Sequence, residues 1–228
     1  MEQHLSILRI KAVATILKQL NHKMVFVGGA TVALYAPREM SYETRPTDDV
    51  DVVVELASYL DYSKLDEQLR LIGFQNDIES GIICRYKVQG IVVDIMPTNP
   101  SVLGFSNIWY PDGFRNAMDV KIDDEVTIKI FSPAYFIATK LEAFKSRGGK
   151  DYRTSSDFED IVYVLDNCVE IETSLGNVND SLKVYFQTEF SKLLADNSLE
   201  EGIYAHLPPR FAMSKSVAII SLLRKIIK

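Results

Sequence analysis

The chain has 228 residues with 31 acidic and 25 basic side chains, a formal net charge of −6. That length suits one domain with an appendage, or two small domains, and is enough to bury a real core. The charge balance excludes a protein that binds nucleic acid mainly by neutralising phosphates along a basic groove, while leaving room for a local basic pocket. Two cysteines, Cys84 and Cys168, are far apart and lack metal-ligand spacing. They exclude a structural zinc site and read as reduced core thiols. No stretch reaches the ~18 uninterrupted apolar residues of a membrane span, so a soluble, cytoplasmic chain without a membrane partner is expected.

In chain order, residues 3 to 20 carry apolar side chains at Leu5, Leu8, Val13, Ile16, Leu17 and Leu20, a helical stripe ended by Asn21-His22. Lys23 to Val27 reads as a strand, Gly28-Gly29 as a turn, and Ala30 to Tyr35 as the start of a helix that Pro37 cannot continue. A polar loop from Arg38 to Asp48 leads into the strand DVDVVV, and Tyr62 to Ile72 is a helix closed by Gly73. Ile82 to Val88 and Ile91 to Met96 form a hairpin about Gln89-Gly90, and Val120 to Ile122 with Val126 to Ile130 repeat the device about Asp123-Asp124. The fold expected is α/β (α+β), a mixed sheet with flanking helices over residues 1–130. Residues 131–228 are expected to be a helical C-terminal domain, with helices at Pro133 to Phe144, Asp157 to Leu165, Asp180 to Leu194 and Ala212 to Ile227. Ser156 and Glu159 read as a capping box that puts Asp157 and Asp160 in a first helical turn.

The segment RPTDDVDVVVE, Arg45 to Glu55, is the centre of the functional reading. Successive strand residues face opposite ways, so Asp49 and Asp51 share a face, Val50, Val52 and Val54 line the other, and Asp48 falls on the wrong side. Asp94, in IVVDIMPT, is a third acid in a similar setting. Carboxylates this close at the end of an apolar strand repel unless a cation sits between them, and oxygen-only ligands favour Mg²⁺ or Mn²⁺. A glycine turn between strand and helix lets backbone approach a phosphate. Together the glycine turn, the paired acids and the third acid outline a site for two metals about 3.5–4 Å apart that clamp a phosphoryl centre.

Gly28-Gly29 followed by the Asp49-x-Asp51 strand, with Asp94 as third carboxylate, resembles the nucleotidyltransferase superfamily with a polymerase-beta-like core. The likeness is closest to its AbiEii/AbiGii-like branch, the toxins of abortive-infection and toxin-antitoxin systems. Arg45 and Thr47 match the basic residue and threonine before the acids; Lys140, in SPAYFIATKLEAFKSRG, and Asp157 with Asp160, in RTSSDFEDI, match a later lysine and aspartate. The resemblance spans about residues 23 to 165. The stretch between Gly29 and Asp49 is longer than the family's helix and turn, which makes the loop with Arg38 and Arg45 a candidate substrate element or lid.

The resemblance implies that Asp49 and Asp51 bind the metal carrying a nucleoside triphosphate whose phosphates lie on Gly28-Gly29. Asp94 would help place a second metal and orient or deprotonate the acceptor hydroxyl. Lys140, Arg45 and Thr47 would serve the nucleotide side, and Asp157 would orient Lys140 or the nucleotide. It further implies a helical part closing the acceptor side, an acceptor that is an RNA end such as tRNA or a protein hydroxyl, and an antitoxin partner. An antibiotic (aminoglycoside-type) nucleotidyltransferase, with Glu142, Asp166, Glu170 and Glu172 in an acidic pocket, is the rival enzyme reading. A catalytically silent interaction protein of the same fold is the third. Residue by residue, simpler readings stand beside these: Asp157 and Asp160 complementing a helix dipole, Lys140 as a solvated helix lysine, His206 as structural, and the Lys215 to Lys228 run as a packed amphipathic helix.

Overall fold

The computed structural model describes residues 5–37, 44–149 and 151–228; residues 3 and 4 of the expected first helix, and Arg38 of the expected loop, lie outside them. The chain divides into two compact units, Met1–Leu34 with Ser41–Ser132, and Tyr35–Met40 with Pro133–Lys228.

The first unit runs α1 (Leu5–Leu17), β1 (Met24–Val27), a 3₁₀ turn (Gly29–Tyr35) whose last residue joins the second unit, β2 (Asp49–Val54), α2 (Tyr59–Leu71), β3 (Gln75–Asn76), β4 (Arg85–Val88), β5 (Ile91–Pro97), α3 (Pro100–Leu103), α4 (Tyr110–Arg115), β6 (Met118–Lys121) and β7 (Thr127–Ile130). The strands form one seven-stranded sheet in the order β3-β4-β5-β2-β1-β7-β6. It is mixed as expected: β2 pairs parallel with β5 and β1 with β7, while the other neighbours are antiparallel.

The central position of β2 explains its valines. Val50, Val52, Val53 and Val54 are all buried, whereas Asp49 and Asp51 are half-buried and Asp48 is exposed. Alternation therefore holds at the acidic end and gives way at Val53, where the strand is buried on both faces. Helix α1 lies against β2. Its inward face is Ser6, Ile10, Val13 and Leu17, at helical spacing, so the expected stripe is corrected at one end: Leu5 and Leu8 are exposed.

Two further expectations shift. The Ile82 to Val88 strand begins only at Arg85, because a 3₁₀ turn over Ile78–Ser80 and Gly81 at φ +69° bring the chain in late, and the Arg85 amide still donates to the Ile82 carbonyl at 3.1 Å. The β4–β5 turn falls on Gln89-Gly90, both at positive φ, the signature of a two-residue hairpin loop. α2 starts at Tyr59, earlier than the apolar pattern indicates, because Ser58 caps it by accepting from the Asp61 amide.

The second unit is helical: α5 (Pro133–Ser146), α6 (Ser156–Asn167), α7 (Ile171–Gly176), α8 (Asp180–Ala195), α9 (Leu199–Ala205) and α10 (Ala212–Ile226). α5 packs on α6 and α7, and α10 on α8 and α9. The capping box is corrected by one residue: Ser155, not Ser156, accepts the Phe158 amide, so no acid occupies the reciprocal position. Phe144, Tyr152 and Phe158 form a ring cluster with centroids 4.8–5.5 Å apart. His206 meets the Tyr152 carbonyl at 2.6 Å, a structural contact.

Gly202 of α9 lets the helix backbone touch that cluster, since a Cβ there would lie 2.2 Å from Cβ of Tyr152. Gly202→Ala should therefore lower stability by ~1–3 kcal/mol in urea denaturation, despite alanine's better helix propensity; an unchanged or raised midpoint would refute this packing account.

Candidate functional site

Strand register assembles the acidic site. Asp51 pairs with Asp94 across the parallel β2–β5 ladder, and Arg85 pairs with Asp94 across the antiparallel β4–β5 ladder. Residues in register share a face, so Arg85, Asp94 and Asp51 stand in one row across three strands, with Asp49 two residues back on the same face. The sheet thus brings together the three acids expected from the sequence and adds an arginine beside them.

Arg85 grips Asp94 with both prongs: Nε donates to Oδ1 at 2.8 Å and Nη2 to Oδ2 at 2.7 Å. Nη2 also reaches Oδ2 of Asp49 at 3.4 Å. Asp94 is the most enclosed of the three, its side chain 11% exposed against 23% for Arg85 and 39% for Asp49. A two-pronged guanidinium–carboxylate pair with so little water is strong and directional. The hydrogen bonds that Arg85 donates to Asp94 hold the Arg85 pKa above its ordinary value although burial opposes the charge, and the fields of Asp94, Asp49 and Asp51 add to the rise. Behind the row, burial first and the charges of Asp94 and Asp51 next push the Cys84 thiol up to about 12, so it is an inert thiol at neutral pH.

The glycine turn abuts the same row. Val27 pairs with Asp51, and Gly28, at φ +72°, follows it; a Cβ at Gly28 would lie 1.9 Å from Oδ2 of Asp51. Only glycine tolerates both the left-handed backbone and that approach. The turn is closed by the Thr31 amide and hydroxyl, which both donate to the Gly28 carbonyl, and Gly29 opens the 3₁₀ turn.

Arg45 is exposed, with Nη1 donating to the Pro46 carbonyl at 3.3 Å. Thr47 is buried, its hydroxyl 3.4 Å from Ser6 Oγ and from the Asp49 carbonyl oxygen, while Arg9 of α1 donates to its carbonyl. Thr47 thus anchors the entry to β2. Arg9 and Arg85 are what sequence reasoning missed. Arg9 falls on the polar back of the α1 pattern, and Arg85 could be found only by setting the Gln89-Gly90 hairpin in register and counting across to Asp94.

Lys140, Asp157 and Asp160 form a cluster within the second unit. Lys140 Nζ lies 3.0 Å from Asp157 Oδ1 and 2.7 Å from Asp160 Oδ2, and Arg147 takes the other oxygen of Asp157. The two acids are 2% and 5% exposed and Lys140 12%. Burial opposes the ammonium charge, but Asp160 and Asp157 outweigh it and raise the Lys140 pKa. The cluster balances two positive against two negative charges, and Lys140 is not the solvated helix lysine of the simpler reading.

With this geometry in view, the fold can be placed. The fold is similar to that of the crystal structure of an antigenic nucleotidyltransferase-like protein from Paracoccidioides brasiliensis, with a TM-score of 0.50 and 18% identity over 89% of this chain and 93% of that one. No family model and no curated protein matches the chain.

The divalent ion implied by the resemblance meets a donor set of the right kind: carboxylate oxygens on adjacent strands, beside a glycine turn where a Cβ would strike the Asp51 carboxylate. As the side chains stand, no group of three or more His, Cys, Asp and Glu among the described residues is arranged to hold an ion, and both oxygens of Asp94 are turned to Arg85.

Gly28→Ala should cost roughly 1–2 kcal/mol for the left-handed backbone alone, with a further loss from displacing Asp51. Urea melts would register it, and a loss under about 0.5 kcal/mol would contradict the close approach. Lys140→Met should cost ~3–5 kcal/mol by leaving buried carboxylates uncompensated. Because the folded-state pKa of Lys140 lies above its ordinary 10.5, that contribution is fully present below the unfolded value and lost as pH climbs through the folded one. The stability gap between wild type and Lys140→Met should hold from pH 7 to about 10 and shrink above it.

Proposed function

We propose that the chain is a metal-dependent nucleotidyltransferase that moves a nucleoside monophosphate from a nucleoside triphosphate to an acceptor hydroxyl. The observation that carries this reading is the pairing of Asp51 with Asp94 on adjacent parallel strands, with Asp49 on the same face and Gly28 against Asp51. On a nucleotidyltransferase-like fold, that combination is what the reaction needs.

Asp49 and Asp51 would hold Mg²⁺ or Mn²⁺, which when bound neutralises triphosphate charge and polarises the phosphoryl oxygens. The Gly28-Gly29 backbone would approach the triphosphate, with Gly28 packed so closely on Asp51 that a Cβ there would meet its carboxylate. Asp94 would orient the acceptor hydroxyl and accept its proton as the new oxygen–phosphorus bond forms at the α-phosphorus and pyrophosphate leaves. Arg45 is exposed near the start of β2 and is a candidate cation for the nucleotide. Thr47 serves by fixing the strand entry. Lys140 and Asp157 enter as nucleotide-side residues through the resemblance alone, and so does the toxin assignment with its RNA or protein acceptor and antitoxin.

One observation favours a second reading, a catalytically silent protein of the same fold. The Arg85 fork already supplies Asp94 with a positive partner, so the acid row has a stabilising cation of its own.

Incubation with α-labelled nucleoside triphosphates, Mg²⁺ or Mn²⁺, and total RNA, a protein extract or an aminoglycoside distinguishes these readings. The enzyme reading expects label on one acceptor class. It also expects Asp49→Asn and Asp51→Asn each to lower the rate at least about a hundredfold, or ~2.7 kcal/mol of barrier. Label on no acceptor, or label insensitive to both substitutions, would favour the silent protein.

A further inference from the structure

Sheet pairing sets Asp94 midway between two neighbours in one row, Arg85 on β4 and Asp51 on β2. Its carboxylate has one orientation at a time. Turned toward β4 it satisfies the guanidinium with both oxygens; turned toward β2 it joins Asp49 and Asp51 as a third oxygen donor. In this structure it faces β4. Arg85 also reaches Asp49 at 3.4 Å, so its charge lies against two of the three acids.

Resting on the nucleotidyltransferase reading and deepening it, we propose that Arg85 is a resident counter-cation that competes with the divalent ion for Asp94. The free site therefore carries one positive charge of its own against three acids, held on Asp94 and reaching Asp49, and the third acid becomes available only when the arginine swings away.

Two features of the surroundings support a movable arginine rather than a fixed structural pair. Arg85 is on the hairpin's outer strand, beside the two-residue β3, whereas Asp94 and Asp51 are on central strands. Arg85 lines an open hollow of about 650 Å³ with Ile78, Ile82 and Ile83, of which the three isoleucines are exposed. That open space adjoins Arg85 and is where we place the guanidinium once it leaves Asp94. A carboxylate as enclosed as Asp94 is costly to leave alone, so loss of Arg85 makes the protein depend on another cation, and a divalent ion is the one that oxygen donors accept.

The test is Mn²⁺ binding by calorimetry and by electron paramagnetic resonance, with thermal melts of the same proteins in EDTA and in Mn²⁺. Arg85→Gln should bind Mn²⁺ more tightly than wild type by about tenfold or more, since a positive charge is removed from the site. It should melt below wild type in EDTA and recover in Mn²⁺, whereas wild type gains little from the ion. Asp94→Asn should cost the Arg85→Gln protein more Mn²⁺ affinity than it costs the wild type, where Arg85 holds the carboxylate in the free protein, a coupling that a merely structural arginine would not produce. Arg85→Lys, which keeps the charge without the fork, should give an intermediate affinity and serves in its place should Arg85→Gln fail to fold. Equal or weaker Mn²⁺ binding by the Arg85 variant overturns the competition and leaves the acidic site standing. Absence of Mn²⁺ binding in wild type and variant alike overturns the competition together with the metal-site reading.

Discussion

Like charge confined to one row of a sheet is the constraint on which this structure turns. Asp51 and Asp94 are held as direct neighbours by the parallel pairing of β2 and β5, and at about 5 Å with an effective dielectric near 20 two carboxylates repel by about 3 kcal/mol. The surrounding valines prevent the strands from relaxing apart, because Val50, Val52, Val93 and Ile95 are fully buried on the same ladders. Stability of the core and availability of a positive partner for the acids are therefore linked. Any account of function must say which cation answers that demand, and in which state of the protein.

The scaffold answers with register. Gln89 and Gly90 adopt left-handed conformations and fix the β4–β5 pairing so that Arg85 falls opposite Asp94. A slip of one residue would send Arg85 to the opposite face, leaving Asp94 without its fork. On the other flank, α1 reaches over β2 and anchors Thr47 through Ser6 and Arg9, two residues before the first acid. Gly28 then brings a bare backbone against Asp51. Each device acts on position rather than on chemistry, which is why the carboxylates can be placed so closely.

Much of this was legible in the sequence where a local pattern has one physical outcome. The DVDVVV run had to be a strand with its acids on one face; Gln89-Gly90 had to be a hairpin; the Pro133, Asp180 and Ala212 regions had the periodicity of helices. Misses occurred where the outcome depends on residues distant in sequence. Arg85 looked like an ordinary strand residue because its partner was set by the ladder. Leu5 and Leu8 looked like core, but the inward face of α1 is chosen by Ser6 meeting Thr47. The two-residue β3 and the six- and seven-residue helices α7 and α9 are too short to carry a periodic signal. Ser155 and Ser156 are equivalent as capping residues by type, and only the backbone distinguishes them. At Lys140 the helix itself was readable, whereas the balancing of its charge by Asp157 and Asp160 required α5 and α6 to be packed together.

The central claim is that this acid row is where a metal-bound nucleoside triphosphate is held. It is tested most directly by anomalous scattering at the manganese edge from crystals grown with Mn²⁺ and a non-hydrolysable nucleoside triphosphate. The account predicts a manganese peak on the carboxylates of Asp49 and Asp51, with the triphosphate against the Gly28-Gly29 backbone. Manganese bound away from those carboxylates, or a triphosphate seated elsewhere on the protein, would contradict it.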